Sequence, residues 1–266
     1  MTKDAIMPIY PINHRYGGQP IAIVEAASPA QALERTVERG VGLLYADLKA
    51  IQGPRANLGG GDFRGADLSH ARLSLALLHG ADLRAALLFR TDLQAALLRR
   101  ADLRQADLRE ADLRNANLQE SLLVGADLRG TMLTGARLDR AILDWRYSPV
   151  PLELLRQAGR GNAPACASSL LAELAFHDDA KPFAWLRVLL RQESEGGIDW
   201  ALGVLSRHIH PNDSAPEVLR RLAADAPAGL ENRIDSTSSV VRRDFESAPL
   251  LWTRRRTKQP VQIGPL

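Results

Sequence analysis

Histidine and aspartate occur close together at two places in this sequence, a combination that could bind a metal ion. The two groups are His177-Asp178-Asp179 and His208-Ile209-His210 with Asp213. Imidazole and carboxylate groups are common ligands of transition metals. Both groups also lie at the ends of predicted helices, where the same residue types cap the helix and interact with its dipole. We therefore expect capping roles and predict no metal and no cofactor.

No catalytic motif accompanies these residues. The sequence has no nucleophile elbow, P-loop, dinucleotide fingerprint or HExxH pair. Twelve acidic and twelve arginine side chains lie between residues 56 and 145. They recur at regular intervals, which predicts exposed positions instead of the enclosed pocket that catalysis needs. We therefore predict that the protein is not an enzyme.

The composition favours a cytoplasmic protein with an aliphatic core. Hydrophobic residues make up 45% of the 266 residues, but aromatic residues only 5%. The single cysteine, Cys166, excludes an internal disulfide and a cysteine-rich zinc site. No secretory signal is visible, and no apolar stretch reaches the roughly 18 residues of a membrane span. We therefore predict no membrane association.

A five-residue repeat dominates the middle of the chain. Leucine or phenylalanine recurs at every fifth residue from Leu58 to Leu143, at eighteen positions without a gap. The residue two before is alanine fourteen times, and the residue immediately before is Asp or Asn ten times. In a helix, five residues advance about 500°, so the leucines would spiral around every side. A short extended segment with one bend per repeat instead keeps leucine and the small residue on one face.

The A-[DN]-L-x-x pattern, clearest in ADLRQADLREADLRNANLQ at residues 101–119, resembles the pentapeptide-repeat proteins. The resemblance covers about residues 46–145, where Ala46-Asp47-Leu48 forms an early repeat before an irregular KAIQGPR stretch. It implies a mainly β solenoid, a right-handed quadrilateral β-helix with four repeats per coil and inward-pointing leucines. The expected core residues include Leu58, Phe63, Leu68, Leu83, Leu103, Leu108, Leu113 and Leu128.

The flanking regions predict three further parts. Residues 1–45 are expected to form a small α/β cap, with two strands around Gly17-Gly18 and a helix capped by Ser28. The β-helix occupies 46–148, and proline residues end it. Residues 149–226 contain amphipathic helical segments, and residues 227–266 form a basic, flexible tail. That tail carries Trp252 beside three arginines, which suggests nucleic-acid contact, a docking peptide or a solvated terminus.

With four repeats per coil, residues twenty apart should stack. Two ladders are then expected: Asp62, Asp82 and Asp102, and beside them Arg64, Arg84 and Arg104. The ladders are either a patterned binding strip or a set of mutually neutralising surface charges. We favour neutralisation, because exposed pairs contribute little and their periodicity follows from the repeat alone.

At the outward position, immediately before the central leucine, several repeats carry leucine in place of Asp or Asn. These departures from the repeat pattern say more about function than the charged ladders do. Leu77 and Leu97 should stack, with Leu75 at the neighbouring corner, whereas Leu87 and Phe89 lie on the opposite side. These five residues form a candidate interaction surface, because exposed apolar groups imply a covering partner. Leu122, Val124 and Ile142 form a second candidate, for docking of the chain's own helical region or for a homodimer.

These observations predict an interaction or scaffold protein that presents a rigid β-helix to a protein partner. The alternative is a topoisomerase-directed role. Some members of the family that the repeat resembles mimic the shape and negative charge of duplex DNA and act on DNA gyrase. The equal numbers of acidic and arginine residues in the repeats weaken this alternative.

Overall fold

The computed structural model describes residues 7–162, 167–175, 183–190, 195–217 and 219–220. The chain divides into two units, Met1–Asp225 and Ala226–Leu266. The second unit, with the predicted basic tail and Trp252, lies outside the described residues, as do Cys166 and the group at residues 177–179. The helices and strands are β1 (Ile9–Ile12), β2 (Ala22–Glu25), α1 (Pro29–Glu38), α2 (Pro149–Asn162), α3 (Ala167–Ala175), α4 (Ala184–Leu190) and α5 (Glu195–Ser206).

An antiparallel hairpin and one helix precede the repeats. Strands β1 and β2 pair with Tyr10 opposite Val24. Helix α1 begins after Ser28, whose Oγ accepts a hydrogen bond from the Gln31 backbone N–H at 3.2 Å. This bond satisfies one of the free N–H groups at the helix start. Val24 packs into a small buried cluster with Ala26 and Ala32, which joins the hairpin to the helix.

The repeat region coils once every twenty residues. Parallel bridges join residues twenty apart, one bridge for every five residues, so each coil contains four repeats. The bridged residues form four columns, one on each face of the coil. Face 1 is Asp47, Asp67, Leu87, Asp107 and Asp127; face 2 is Gln52, Arg72, Asp92, Asp112 and Met132; face 3 is Asn57, Leu77, Leu97, Asn117 and Arg137; face 4 is Asp62, Asp82, Asp102, Leu122 and Ile142.

Backbone hydrogen bonds tie each coil to both neighbours. The Leu83 N–H donates to the Asp102 carbonyl of the next coil at 2.8 Å. The Asp82 N–H donates in the other direction, to the Gly61 carbonyl at 2.9 Å. Because this alternation recurs through the repeats, a coil satisfies its backbone only when a coil lies on each side of it.

The central residues of the repeats fill the interior. All eight residues expected in the core are at most 1% exposed. Each buried leucine contributes on the order of 2 kcal/mol. Buried hydroxyls at the small-residue position donate inside the coil, as Thr91 Oγ1 does to the Leu68 carbonyl at 2.8 Å.

Every bend places one residue in the left-handed backbone region. Six bends carry glycine, but fourteen carry another residue, among them Leu75 with a φ of 61°. A non-glycine residue in this conformation costs about 1–2 kcal/mol. The bend persists because the coils hydrogen-bond its N–H, as in the 2.8 Å bond from Leu75 N–H to the Gln94 carbonyl.

The KAIQGPR stretch, irregular in sequence, continues the coil. Gln52 bridges Arg72 in register, and Gly53 takes the buried position that leucine holds elsewhere. A Cβ atom at Gly53 would lie 3.3 Å from Leu73 Cδ2 and 3.7 Å from Ala30 Cβ of α1. The interior space that a leucine would need is therefore already filled. Coil pairing begins still earlier, with the 2.7 Å bond from the Leu43 N–H to the Asp62 carbonyl.

Tryptophan and aspartate side chains join the last coil to the helices that follow. Trp145 is fully buried, and its Nε1 donates to Asp213 Oδ2 at 2.8 Å. Trp185 of α4 donates to the Trp145 carbonyl at 2.7 Å. Helix α2 begins at Pro149 and packs against α3 and α5. Among the described residues, no helix has the length and apolar character needed to cross a lipid bilayer.

Candidate interaction surface

Face 4 begins with a ladder of arginine–aspartate pairs. Arg64 Nη2 lies 2.7 Å from Asp62 Oδ2, and its Nε lies 3.7 Å from Asp82 of the next coil. Arg84 repeats the arrangement with Asp82 and Asp102. The hydrogen bond from Arg64 holds the pKa of the Asp62 carboxyl below its usual value. These side chains neutralise one another, as expected from the sequence.

The local hydrogen bond of the aspartate explains why Asp and Asn dominate the outward position. Asp102 Oδ1 accepts from the Arg104 backbone N–H at 3.2 Å, and Asp127 does the same for Arg129. This bond closes the bend that follows each leucine. A leucine at the outward position cannot make it, so the departures Leu77, Leu87 and Leu97 give up a stabilising contact.

Face 3 carries a continuous apolar area. Leu77 bridges Leu97, and Leu75 and Ala95 occupy the bend positions immediately before them in the same two coils. Leu75 is 44% exposed and Leu97 is 41% exposed, whereas Leu77 and Ala95 are half-buried. We call Leu75, Leu77, Ala95 and Leu97 the apolar patch.

Within the columns that contain the apolar patch, several neighbouring positions carry uncharged polar residues. Asn57 precedes it and Asn117 follows it in the face 3 column. Asn115 occupies the next bend after Ala95, and Ser74 lies on the side of face 2. No aspartate–arginine pair of the face 4 type therefore crosses this part of the coil. A partner that covers Leu75, Leu77, Ala95 and Leu97 therefore desolvates apolar side chains and no ladder of the face 4 type.

The apolar pair on the opposite face is covered by its own neighbours. The Cζ atoms of Arg90 and Arg109 lie 4.9 Å and 5.6 Å from the centre of the Phe89 ring. His70 packs edge-on against the same ring at 5.5 Å. Leu87 is half-buried between two aspartates of face 1. The structure thus separates Leu87 and Phe89 from the apolar patch and surrounds them with charge.

The third apolar cluster lies at the end of the coil nearest the helices. Ile142 bridges Leu122 on face 4, and both are half-buried, as is Val124. Next to them the fully buried Asp144 accepts a 2.9 Å hydrogen bond from the Gly125 N–H. Docking of the helical region or of a second copy at this cluster stays a prediction.

The hairpin exposes apolar residues that the sequence interpretation missed. Ile9 is 60% exposed, Ile23 is 64% exposed and Tyr16 of the connecting turn is 71% exposed. The alternation of side chains along a strand places Ile9 and Ile23 on the face away from Val24. That alternation was available in the sequence and could have identified them.

Asp213 has a structural role where a metal ligand was considered. Its Oδ2 accepts from Trp145 and from the His210 N–H at 2.8 Å each, and Oδ1 lies 2.6 Å from Arg220 Nη2. Its carboxylate therefore joins the last coil to the loop after α5. Within the described residues, no group of three or more His, Cys, Asp or Glu side chains is arranged to hold a metal ion.

Residues 55–84, 86–123 and 111–145 match the family model of pentapeptide repeats, in eight copies. The chain belongs to the pentapeptide-repeat family. Comparison with curated proteins finds no match. The repeats identify the family.

Solved structures of pentapeptide-repeat proteins are similar to the coil region. One from the thylakoid lumen of Arabidopsis thaliana is 28% identical over 41% of this chain and 74% of its own, with a TM-score of 0.35. One from Nostoc PCC 7120 is 32% identical over 32% and 78%, with a TM-score of 0.29. QnrB1, a plasmid-mediated fluoroquinolone resistance protein, is 19% identical over 37% and 58%, with a TM-score of 0.29.

Proposed function

We propose that this protein is a non-enzymatic interaction protein that binds a protein partner through the apolar patch. The observation that carries the proposal is the exposure of Leu75 and Leu97 side by side in two adjacent coils. Burying apolar surface contributes about 25 cal/mol per Å². A rigid coil supplies this surface without an ordering cost at the moment of binding, which favours affinity.

The residues common at the outward position of the repeat support a binding role for Leu77 and Leu97. At the outward position, Asp or Asn stabilises the bend, and ten of the eighteen repeats carry one of them. Leu77 and Leu97 give up that contact and expose apolar surface instead. A sequence optimised for coil stability alone would not combine both losses in adjacent coils. Partner binding accounts for the combination.

Replacing Leu97 by Asp tests the proposal without endangering the fold. Aspartate is the family's own residue at this position, and Arg99 stands two residues later, as Arg104 does after Asp102. We expect Leu97→Asp to abolish partner capture in cross-linked pull-downs while the thermal midpoint stays within a few degrees. A charge in a desolvated apolar contact costs several kcal/mol, which is more than a hundredfold in affinity.

Met132→Asp is the matched control. Met132 occupies the same repeat position on face 2 and is 43% exposed, close to the 41% of Leu97. We expect this variant to retain every interaction of the unmodified chain. If Leu97→Asp also retains every interaction, the apolar patch is not the binding surface.

A gyrase-directed role is the weaker candidate, because the charge of the coil does not match that of DNA. The repeats between residues 56 and 145 span about 22 Å at a coil spacing of about 4.8 Å. Duplex DNA carries roughly 13 negative charges over that length. The coil carries twelve acidic and twelve arginine side chains over the same residues. The likeness to QnrB1 is too low to transfer its role.

A supercoiling assay with purified gyrase, with and without a quinolone, addresses this candidate directly. Because the surface lacks the charge density of DNA, we expect no change in supercoiling at micromolar protein. Inhibition or quinolone protection at that concentration would establish the gyrase role.

Two further properties belong to the proposal. The coil is right-handed and four-sided, as in the pentapeptide-repeat family, and the four columns of bridges support this shape. The protein acts in the cytoplasm, and its single cysteine supports that location because an internal disulfide needs two.

A further inference from the structure

The charges of the coil are balanced in number but not in position. Faces 2 and 3 fall in residues 56–60, 71–80, 91–100, 111–120 and 131–140, which carry six arginines and four carboxylates. The remaining segments between residues 56 and 145, on faces 1 and 4, carry six arginines and eight carboxylates. The apolar patch therefore lies on the positive side of a solenoid that is polarised across its axis.

The arginines next to the apolar patch are incompletely neutralised. Arg55 occupies the same corner of the coil as Leu75, one coil earlier. Arg72 lies three residues before Leu75 in the sequence. Neither forms an ion pair with any residue that the structure describes, although Asp92 follows Arg72 in the face 2 column. Two guanidiniums are thus available at one edge of the patch.

The opposite edge also carries excess positive charge. Arg99 and Arg100 share a single carboxylate, with Arg99 Nη2 at 2.7 Å from Glu120 Oε1 and Arg100 Nε at 2.6 Å from Oε2. These hydrogen bonds lower the pKa of Glu120 to about 2. Glu120 is therefore ionised at physiological pH, and the cluster of Arg99, Arg100 and Glu120 keeps a net charge of +1. Positive groups therefore flank the apolar patch on both sides.

We infer that the partner presents an acidic amphipathic segment, with apolar side chains for the patch and carboxylates for the flanking arginines. This inference rests on the proposed docking function of the apolar patch. Side chains one turn apart on a helix are about 5–6 Å apart, close to the roughly 4.8 Å between the stacked leucines. Charge complementarity of this kind accelerates association and selects the partner. A phosphate backbone fits less well, since the centre of the surface is apolar.

Selection from a random library of 16-residue peptides displayed on phage tests the inference with the full-length protein as bait. Bound phage are eluted competitively, and a parallel selection on Leu97→Asp identifies the peptides whose binding needs the apolar patch. We expect those peptides to contain two or more apolar residues at helical spacing and an excess of Asp and Glu. A synthetic copy of the leading peptide should lose at least fivefold in affinity between 50 and 500 mM NaCl.

Charge reversal then identifies the arginines involved. We expect Arg72→Glu to weaken the leading acidic peptide at least tenfold, measured by fluorescence anisotropy. Arg140→Glu is the control, because Arg140 is an exposed bend residue of the coil two turns further from Arg100. It should change the affinity less than threefold.

The outcomes separate the inference from the function on which it rests. Patch-dependent peptides that are neutral or basic overturn the acidic partner and leave the docking function standing. Absence of any patch-dependent peptide overturns both. If full-length protein dimerises in sedimentation velocity and Leu97→Asp remains monomeric, the occupant is a second copy and the acidic partner is overturned.

Discussion

Phe63 and its neighbour show how single residues compensate one another inside a repeat. Phe63 is the one aromatic residue among the eighteen central positions recognised in the sequence, and it is fully buried. The residue two before it is Gly61, where most repeats have alanine. A Cβ atom at Gly61 would overlap the edge of the Phe63 ring. The larger and the smaller residue therefore share the volume that alanine and leucine fill elsewhere.

A double-mutant cycle tests this compensation. We expect Gly61→Ala to destabilise by about 1–3 kcal/mol through overpacking. Phe63→Leu should destabilise by leaving a void. The double variant restores the common pattern of the repeat, so its loss should be smaller than the sum of the two single losses. Urea unfolding measures all three.

Gly60→Ala is the control for this cycle. Gly60 lies at a bend, no atom approaches the position of its missing Cβ within 4 Å, and alanine occupies the same backbone conformation at Ala50 and Ala85. We expect a loss of about 1–2 kcal/mol from the left-handed backbone alone, and no coupling to Phe63→Leu. Strict additivity of the Gly61 and Phe63 changes would show that the two residues do not share space.

At the scale of elements, each end of the coil needs a cap for its backbone. In the first coils, the Asn57 N–H points toward a coil that does not exist, and Glu34 of α1 accepts it at 2.7 Å. At the other end, the Gly135 N–H donates to Glu153 of α2 at 2.9 Å. A glutamate carboxylate on a flanking helix thus replaces a missing carbonyl at both ends, and the helices prevent further coils from adding.

Removing the Glu153 cap should lower the free energy of unfolding more than removing the Glu34 cap. Glu153 is 1% exposed and is also bonded by Arg156 at 3.1 Å and Gln157 at 2.9 Å. We expect Glu153→Ala to destabilise by about 3 kcal/mol, because the half-buried Gly135 N–H and the Arg156 guanidinium both lose their buried carboxylate partner. Glu34→Ala should cost about 1 kcal/mol. Chemical denaturation of the full chain measures both.

Glu38→Ala provides the comparison for the caps. Glu38 is an exposed residue in the last turn of α1, so we expect a change within about 0.5 kcal/mol. An effect of Glu153→Ala no larger than that of Glu38→Ala would show that the carboxylate does not cap the coil.

For the whole molecule, the ion pairs make stability depend on acid. For Asp102, Asp112 and Asp127, burial alone would raise the pKa, but hydrogen bonds from arginine and from backbone N–H groups outweigh it and lower the pKa. The pKa of Glu120 falls to about 2. A carboxyl with a depressed folded-state pKa contributes stability above its unfolded pKa of about 4 and loses it as the pH falls through the folded value.

We therefore expect the thermal midpoint to be nearly constant from pH 7 to about 5. It should then fall steadily toward pH 2, as protonation removes the aspartate–arginine pairs. Circular dichroism melts at unit pH intervals measure this dependence. A fall between pH 7 and 5, or a constant midpoint down to pH 2, would contradict the role of the carboxylates.

Much of the coil could be predicted from the sequence because its geometry is local and repeated. The five-residue spacing from Leu58 to Leu143 determines which side chains point inward, and the bridge between Leu77 and Leu97 follows from four repeats per coil. The KAIQGPR stretch looked irregular in the sequence because Gly53 lacks the leucine side chain that marks a repeat. Its place in the coil depends on Leu73 and Ala30, which are distant in sequence or belong to another element.

The sequence by itself determined the repeat, the family, the core and the outward position of the leucines. Only the tertiary structure decided which leucines remain open to a partner. Phe89 and Leu97 are both apolar residues on the outside of the coil, yet arginines from two coils cover the Phe89 ring while Leu97 stays 41% exposed. The reason is that exposure, charge balance and capping also depend on residues about twenty positions apart, which become neighbours when the chain coils.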